Sequence, residues 1–476
     1  MGAAVTPAMY DAHLLSASAA AKLIQSGELT VEHYVEALLQ RIDERDEDVK
    51  AWAFLDRDQV LANARALDAL TADQRGPLHG VVIGVKDVIY TKDMPTEFNS
   101  PIYKGHFPQV DAASIAILRA SGALFLGKTV TTEFAATANG PGTFNPHDIT
   151  RTPGGSSAGS GAAVGDFQVP VALGTQTGGS TIRPAAYCGI YGFKPTWGAV
   201  SREGQKFFSL TFDTLGIFSR HVDDLTMMTD AFKITDDQPS SFQSLEGARF
   251  ALIKSMLWPA AEPATRDALA RGAELLRSHG AIVEEIELPK SFDKLPQWYN
   301  VVLDMEGSKA FLPEYSSAVE QLDSLMVGYV ENKSKYTQRQ YVEALDNMAA
   351  LRPQFDALVN GYDAVLTPST PDEAPVGTDT GSYLFCKIWT GLHVPVVNIP
   401  GFGGPNNMPV GLSLVAPRYH DRHLLSVTSH VGPLFEAEGG WERPVHGPTT
   451  HREANGHDRE NGNGSGHGNG NGNGHL

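Results

Sequence analysis

The chain has 476 residues, 42% of them hydrophobic, which is enough to bury a large core. Its formal charge of -18, from 37 Lys and Arg against 55 Asp and Glu, argues against a nucleic-acid-binding face, which needs clustered positive charge to neutralise phosphates. Cys188 and Cys386 are too few and too far apart for a disulfide framework, so a reducing, cytoplasmic setting is expected.

The opening MGAAVTPAMYDAHLL lacks a basic region followed by an apolar run, so no secretory signal is expected. Gly2 and Thr6 fit the short N-myristoylation pattern, whose use depends on the host. No apolar stretch reaches the about 18 residues of a spanning helix. Residues 1–70 read as an N-terminal helical part: from Ser16 onward apolar residues recur at helical spacing, with Thr30 placed to cap a helix start.

Residues 71–440 read as one large α/β unit, because strand and helix patterns alternate without an intervening linker. Gly80-Val-Val-Ile-Gly-Val-Lys-Asp-Val-Ile-Tyr is an apolar run typical of a strand buried on both faces, with Lys86 inside it. Residues 112–122 have helical periodicity, and 123–127 read as the following strand. Residues 139–161, rich in Gly, Pro, Ser, Thr and Asn, are expected to be irregular. Residues 169–173 read as another buried strand, 262–360 as largely helical, and 364–368 and 394–400 as short strands. Residues 448–476 form an Asn/Gly/His-rich tail that cannot offset its ordering entropy with buried apolar surface and is expected to be disordered.

The chemistry is concentrated in two glycine-serine segments, Gly154-Gly-Ser-Ser-Ala-Gly-Ser-Gly and Gly174-Thr-Gln-Thr-Gly-Gly-Ser. Glycines let the backbone approach a ligand closely, and the amides of Thr177, Gly178, Gly179 and Ser180 could converge on one oxyanion. Each such donor is worth about 3–4 kcal/mol to a tetrahedral intermediate. A serine nucleophile needs a base, and apart from His147 no histidine lies close to either segment. Lys86 is the better candidate, since desolvation in an apolar strand favours the neutral amine.

Other readings of these residues compete. Gly155-Ser-Ser-Ala-Gly fits G-x-S-x-G and would make Ser157 a nucleophile, but that elbow needs a preceding strand, and Pro153 interrupts one. The glycines lack the Gly-Lys-[ST] of a phosphate loop. His420 and His423 suggest a metal site, with a polar helix start as the plainer reading, and the tail histidines could chelate only weakly. Cys188 and Cys386 read as buried small residues, and Tyr383, Phe385 and Trp389 as either pocket walls or core.

Lys86 in Gly-Val-Lys-Asp, the segment around Ser156, and Thr177-Gly-Gly-Ser followed by Pro184 resemble the core elements of the amidase signature family. Tyr191-Gly-Phe-Lys-Pro-Thr, Asp213-Thr-Leu-Gly, Tyr362-Asp-Ala-Val-Leu-Thr-Pro and Met408-Pro-Val-Gly-Leu-Ser-Leu extend the resemblance over nearly the whole chain outside the tail. It implies a single large fold, a central mixed twisted β-sheet surrounded by helices. It also implies a triad of Ser180 as nucleophile, Ser156 as bridging serine behind a cis peptide bond, and Lys86 as base, with no metal or organic cofactor. Two positions depart from the family pattern: Gln176 stands where an acidic residue is usual, and Ile182 where an arginine is usual, with Arg183 one step later. The expected activity is hydrolysis of a small-molecule amide. A carbamate or biuret-type hydrolase and the amide-cleaving component of a glutamine-dependent amidotransferase are the alternatives, and a homodimer fits the family.

Overall fold

The computed structural model describes residues 11–444, so Gly2, Thr6 and the tail from 448 lie outside the described residues. In chain order the strands are β1 (Trp52–Phe54), β2 (Val82–Lys86), β3 (Leu124–Thr129), β4 (Val171–Gln176), β5 (Tyr191–Lys194), β6 (Thr214–Ser219), β7 (Arg249–Leu252), β8 (Ile282–Glu285), β9 (Ala364–Pro368), β10 (Val396–Gly403) and β11 (Pro409–Val415). They form one 11-stranded sheet in the order β1-β3-β2-β4-β6-β5-β10-β11-β9-β7-β8. The triplets β3-β2-β4 and β9-β7-β8 are parallel and the remaining pairs antiparallel, so the sheet is mixed, as the family resemblance implies.

The parallel triplet reads as a continuous apolar run because both its faces are covered. Val82, Leu124 and Ala172 face a cluster built with Tyr34, Val35 and Leu38 of the helix Val31–Val49, which Thr30 caps by accepting from His33 N at 3.1 Å. Ile83, Val85, Phe125 and Leu173 face the main core on the other side. The segment before residue 70 is helical apart from β1, which pairs antiparallel with β3.

The apolar run through 80–90 is a strand only as far as Lys86. Its carbonyl accepts from Val88 N at 2.8 Å and Ile89 N at 3.0 Å, which turns the chain out of the sheet. The register sets Val85 against Leu173 in parallel β4, so Lys86 and the loop that follows Gln176 leave the same edge of the sheet. Neighbouring C-terminal ends of parallel strands are where α/β folds commonly build sites.

One expectation fails. The irregular stretch 139–161 contains the start of a helix, Ala158–Gly165, all eight of whose residues are buried. Glycine is a poor helix former, but here close packing outweighs propensity: a Cβ at Gly159 would collide with backbone atoms of Ala51 and Val130. Residues 262–360 are largely helical, as expected, with one four-residue strand, β8, among the helices; it lies at the sheet edge, too short and too exposed to leave an apolar pattern. No helix among the described residues is long and apolar enough to cross a membrane.

Candidate active site

Lys86 is fully buried at the end of β2. Its Nζ donates to Ser156 Oγ at 2.8 Å and to Thr175 Oγ1 at 2.7 Å. No carboxylate among the described residues pairs with it. Burial holds the amine well below the ordinary lysine range, and the Arg183 guanidinium pushes the same way while Asp213 opposes.

Ser156 follows a cis peptide bond from Gly155 and is 3% exposed. The Gly155 carbonyl accepts from Arg183 Nε at 3.1 Å and from its Nη2, while Nη1 reaches the Gly381 carbonyl. The displaced arginine thus holds the peptide that presents Ser156. Ser157, the rival nucleophile, is fully buried and points into the sheet: its Oγ donates to Thr175 O at 3.2 Å and accepts from Thr175 N at 3.3 Å. It has no access to a substrate, and no strand leads into it.

Beyond β4 three successive carbonyls are held from behind. Thr177 O accepts from Tyr299 OH at 2.8 Å, Gly178 O from Thr390 Oγ1 at 2.9 Å, and Gly179 O from Arg183 N at 2.8 Å. In a trans peptide the N–H points opposite the carbonyl, so the amides of Gly178, Gly179 and Ser180 face away from these partners. None of the three donates to a described residue. Both glycines are required by space, since a Cβ at Gly178 would lie 2.8 Å from the Tyr383 ring and one at Gly179 2.6 Å from Tyr383 Cβ.

Gln176, the other departure, does not pair with Arg183. Its Oε1 accepts from Thr181 N at 2.9 Å and Ile182 N at 3.0 Å, fixing the start of the helix Ile182–Tyr187, and its Nε2 donates to Thr390 Oγ1 at 3.1 Å. An amide does both because it carries an acceptor and a donor. Thr177 Oγ1 donates to Asp213 Oδ1 at 2.5 Å, and Asp213 Oδ2 accepts from Phe208 N and Ser209 N. Burial pushes the Asp213 carboxyl up to about 6 against these hydrogen bonds.

Ser156, Thr177, Gly178, Gly179 and Ser180 line one cavity of about 230 Å³. Ser180 Oγ has no hydrogen-bond partner among the described residues, Ser156 included. Tyr383 shares the lining, whereas Trp389 is packed in a core cluster and Phe385 is buried away from the lining. His147 turns away: its Nε2 faces the Cys188 carbonyl at 2.9 Å, and burial pushes its pKa down to about 4. Burial pushes both thiols up, that of Cys386 to about 12, so neither is a ready nucleophile. His423 Nε2 lies 3.0 Å from the Asp363 carbonyl, and among the described residues no group of three or more His, Cys, Asp or Glu could hold a metal. Sequence reasoning missed Thr175, Tyr299 and Thr390. Their contacts span up to 214 positions and leave no local pattern.

The family model described as Amidase matches residues 33–425. The A-type component of the glutamyl-tRNA(Gln) amidotransferase of Streptomyces coelicolor is 32% identical over 92% of this chain and 99% of that protein. Its counterpart in Chloroflexus aggregans is 33% identical over 91% and 98%. A crystal structure of an amidase superposes with a TM-score of 0.79 at 28% identity, covering 89% of this chain and 99% of that one. The native peptide amidase of Stenotrophomonas maltophilia gives 0.77 at 26% identity, covering 92% and 100%. The chain belongs to the amidase family, whose members hydrolyse carbon–nitrogen bonds.

Proposed function

We propose that the chain hydrolyses the amide bond of a small molecule through an acyl-enzyme on Ser180. The reading rests on the buried amine of Lys86, 2.8 Å from Ser156 Oγ and without a carboxylate partner, beside a cavity that Ser180 and three unpaired amides also line. With the amine neutral, the Ser156 hydroxyl donates to its lone pair. Ser180 Oγ attacks the carbonyl carbon, its proton passes to Ser156, and the Ser156 proton passes to Lys86. The oxyanion is held by the amides of Thr177, Gly178, Gly179 and Ser180. As the C–N bond breaks, the same relay returns a proton to the leaving amine, and water then releases the acid by the reverse sequence. No metal or organic cofactor enters these steps.

The test is an activity panel of amides, anilides, carbamates and esters on the wild type and Ser180→Ala, with mass spectrometry of the trapped adduct. The expected result is an acyl group on Ser180 and a loss on the order of 10⁴-fold or more in the variant. Near-full amide turnover by Ser180→Ala would overturn the reading. Carbamate turnover at least equal to that of amides would instead select the carbamate alternative.

A second reading is favoured by the similarity to two amidotransferase components along nearly their full length. In that case the chain would work within a complex and take glutamine as its amide. A glutaminase assay together with size-exclusion chromatography separates the two, since a lone chain that turns over amides but not glutamine rejects the amidotransferase reading.

A further inference from the structure

The cavity beside Ser180 has a shape and chemistry that narrow the acyl group. Its volume, about 230 Å³, lies between the roughly 150 Å³ cavity that takes a benzene ring and the roughly 300 Å³ at which drug-sized pockets begin. Ala135, Ala136 and Ala138 contribute small apolar walls, and Phe208, Leu303 and Leu325 larger ones. Among the described lining residues there is no Asp, Glu, Lys or His. Arg183 is the one charged side chain there, and its guanidinium is committed to the Gly155 and Gly381 carbonyls.

An ammonium group entering this cavity would lose hydration without meeting a carboxylate, which disfavours free glutamine. A long acyl chain would extend out of the cavity mouth into water, and a short one leaves the walls without contact.

Three tyrosines also line the cavity. Tyr299 OH is taken by the Thr177 carbonyl, but the hydroxyls of Tyr329 and Tyr383 donate to no described residue. Tyr383 packs against the nucleophile loop. Tyr329 belongs to another wall, its ring 5.4 Å from that of Phe208 and 6.4 Å from that of Phe311. Burial raises the pKa of both phenols, so they remain protonated donors at neutral pH.

We infer that the substrate is the carboxamide of a single uncharged aromatic ring carrying a hydrogen-bond acceptor, which Tyr329 OH receives. This rests on the proposed acyl-enzyme function and adds the identity of the acyl group. The experiment measures kcat/KM for acetamide, dodecanamide, glutamine, benzamide, and 3- and 4-acetylbenzamide on the wild type and Tyr329→Phe, with Ser180→Ala as the blank. Benzamide should exceed the three non-aromatic amides by roughly tenfold or more. One of the acetylbenzamides should exceed benzamide, and Tyr329→Phe should lower that ratio roughly three- to tenfold. Ser180-dependent turnover that favours glutamine, acetamide or dodecanamide overturns the inference and leaves the acyl-enzyme reading standing. An acceptor preference that Tyr329→Phe does not move overturns it too. Should Tyr329→Phe fail to fold, the wild-type order alone decides. Absence of Ser180-dependent turnover on every amide removes the underlying function, and this inference with it.

Discussion

Lys86 and Lys128 lie on neighbouring parallel strands, with Lys128 in register with Val85, and both are fully buried. Lys128 Nζ lies 3.0 Å from Asp87 Oδ1 and donates to Thr96 Oγ1 at 2.6 Å and the Pro95 carbonyl at 3.1 Å. Its charge is balanced by a carboxylate. Among the described residues Lys86 meets two hydroxyls and no carboxylate, so the same desolvation has no contact ion pair there to oppose it. Lys194 is a further case: it sits between the Pro195 and Val394 carbonyls at 2.9 and 2.6 Å, and burial pushes it down to about 7. Burial alone therefore does not make a base. On the proposed mechanism, a lysine serves as one where its neighbours withhold a counter-ion and offer a hydroxyl whose proton it can take.

The sharpest way to break this comparison is to remove each amine in turn. Lys86→Met is expected to lower turnover on the order of 10⁴-fold, read as kcat on an amide, with a stability cost in urea denaturation of only about 1–2 kcal/mol, from the Ser156 and Thr175 hydroxyls it leaves unpaired. Lys128→Met is expected to do the converse, costing about 3–5 kcal/mol in the same denaturation because Asp87 is stranded in the core. Pairing it with Asp87→Leu should return much of that loss. A Lys128→Met protein as stable as the wild type would mean that the ion pair does not distinguish the two sites.

Acidity sharpens the comparison at smaller scale. The base must be neutral to accept a proton, so kcat/KM should fall about tenfold per pH unit as pH drops below the depressed pKa of Lys86, and level off above it. An inflection near the usual lysine value of about 10.4 would show that Lys86 is not desolvated in solution. The same shift acts on stability. The unfolded chain keeps this proton to higher pH than the folded one, so Lys86 adds stability as pH rises from its folded to its unfolded pKa. The smallest effect belongs to Ser157→Ala: a loss of about 1 kcal/mol from its two contacts with Thr175, with turnover within a few-fold of wild type. Loss of acyl-enzyme in that variant would move the nucleophile one motif upstream.

Much of this site was legible in the linear chain. Lys86 stood out because a charged residue inside an unbroken apolar run is costly unless it is used, and the two glycine-serine segments marked backbone that must approach something closely. The helix Ala113–Ala120 and the strand Leu124–Thr129 follow directly from period and length. The helix Ala158–Gly165 did not, since its glycines read as a loop until the backbone of Ala51 and Val130 closes around them. Likewise nothing local distinguishes Ser156 from Ser157; facing opposite directions, one meets an amine 70 positions away and the other is spent on β4.

Hydrophobic period and motif spacing determined which residues are buried and which types of group are available for chemistry, because burial and backbone freedom are properties of short stretches of chain. Which groups meet was decided by the sheet. Strand register sets Lys86 beside Thr175, and contacts from Tyr299, Thr390 and Arg183 aim the amides of the loop that carries Ser180. Those partners come from distant segments whose crossing depends on the strand order, and no local pattern encodes it.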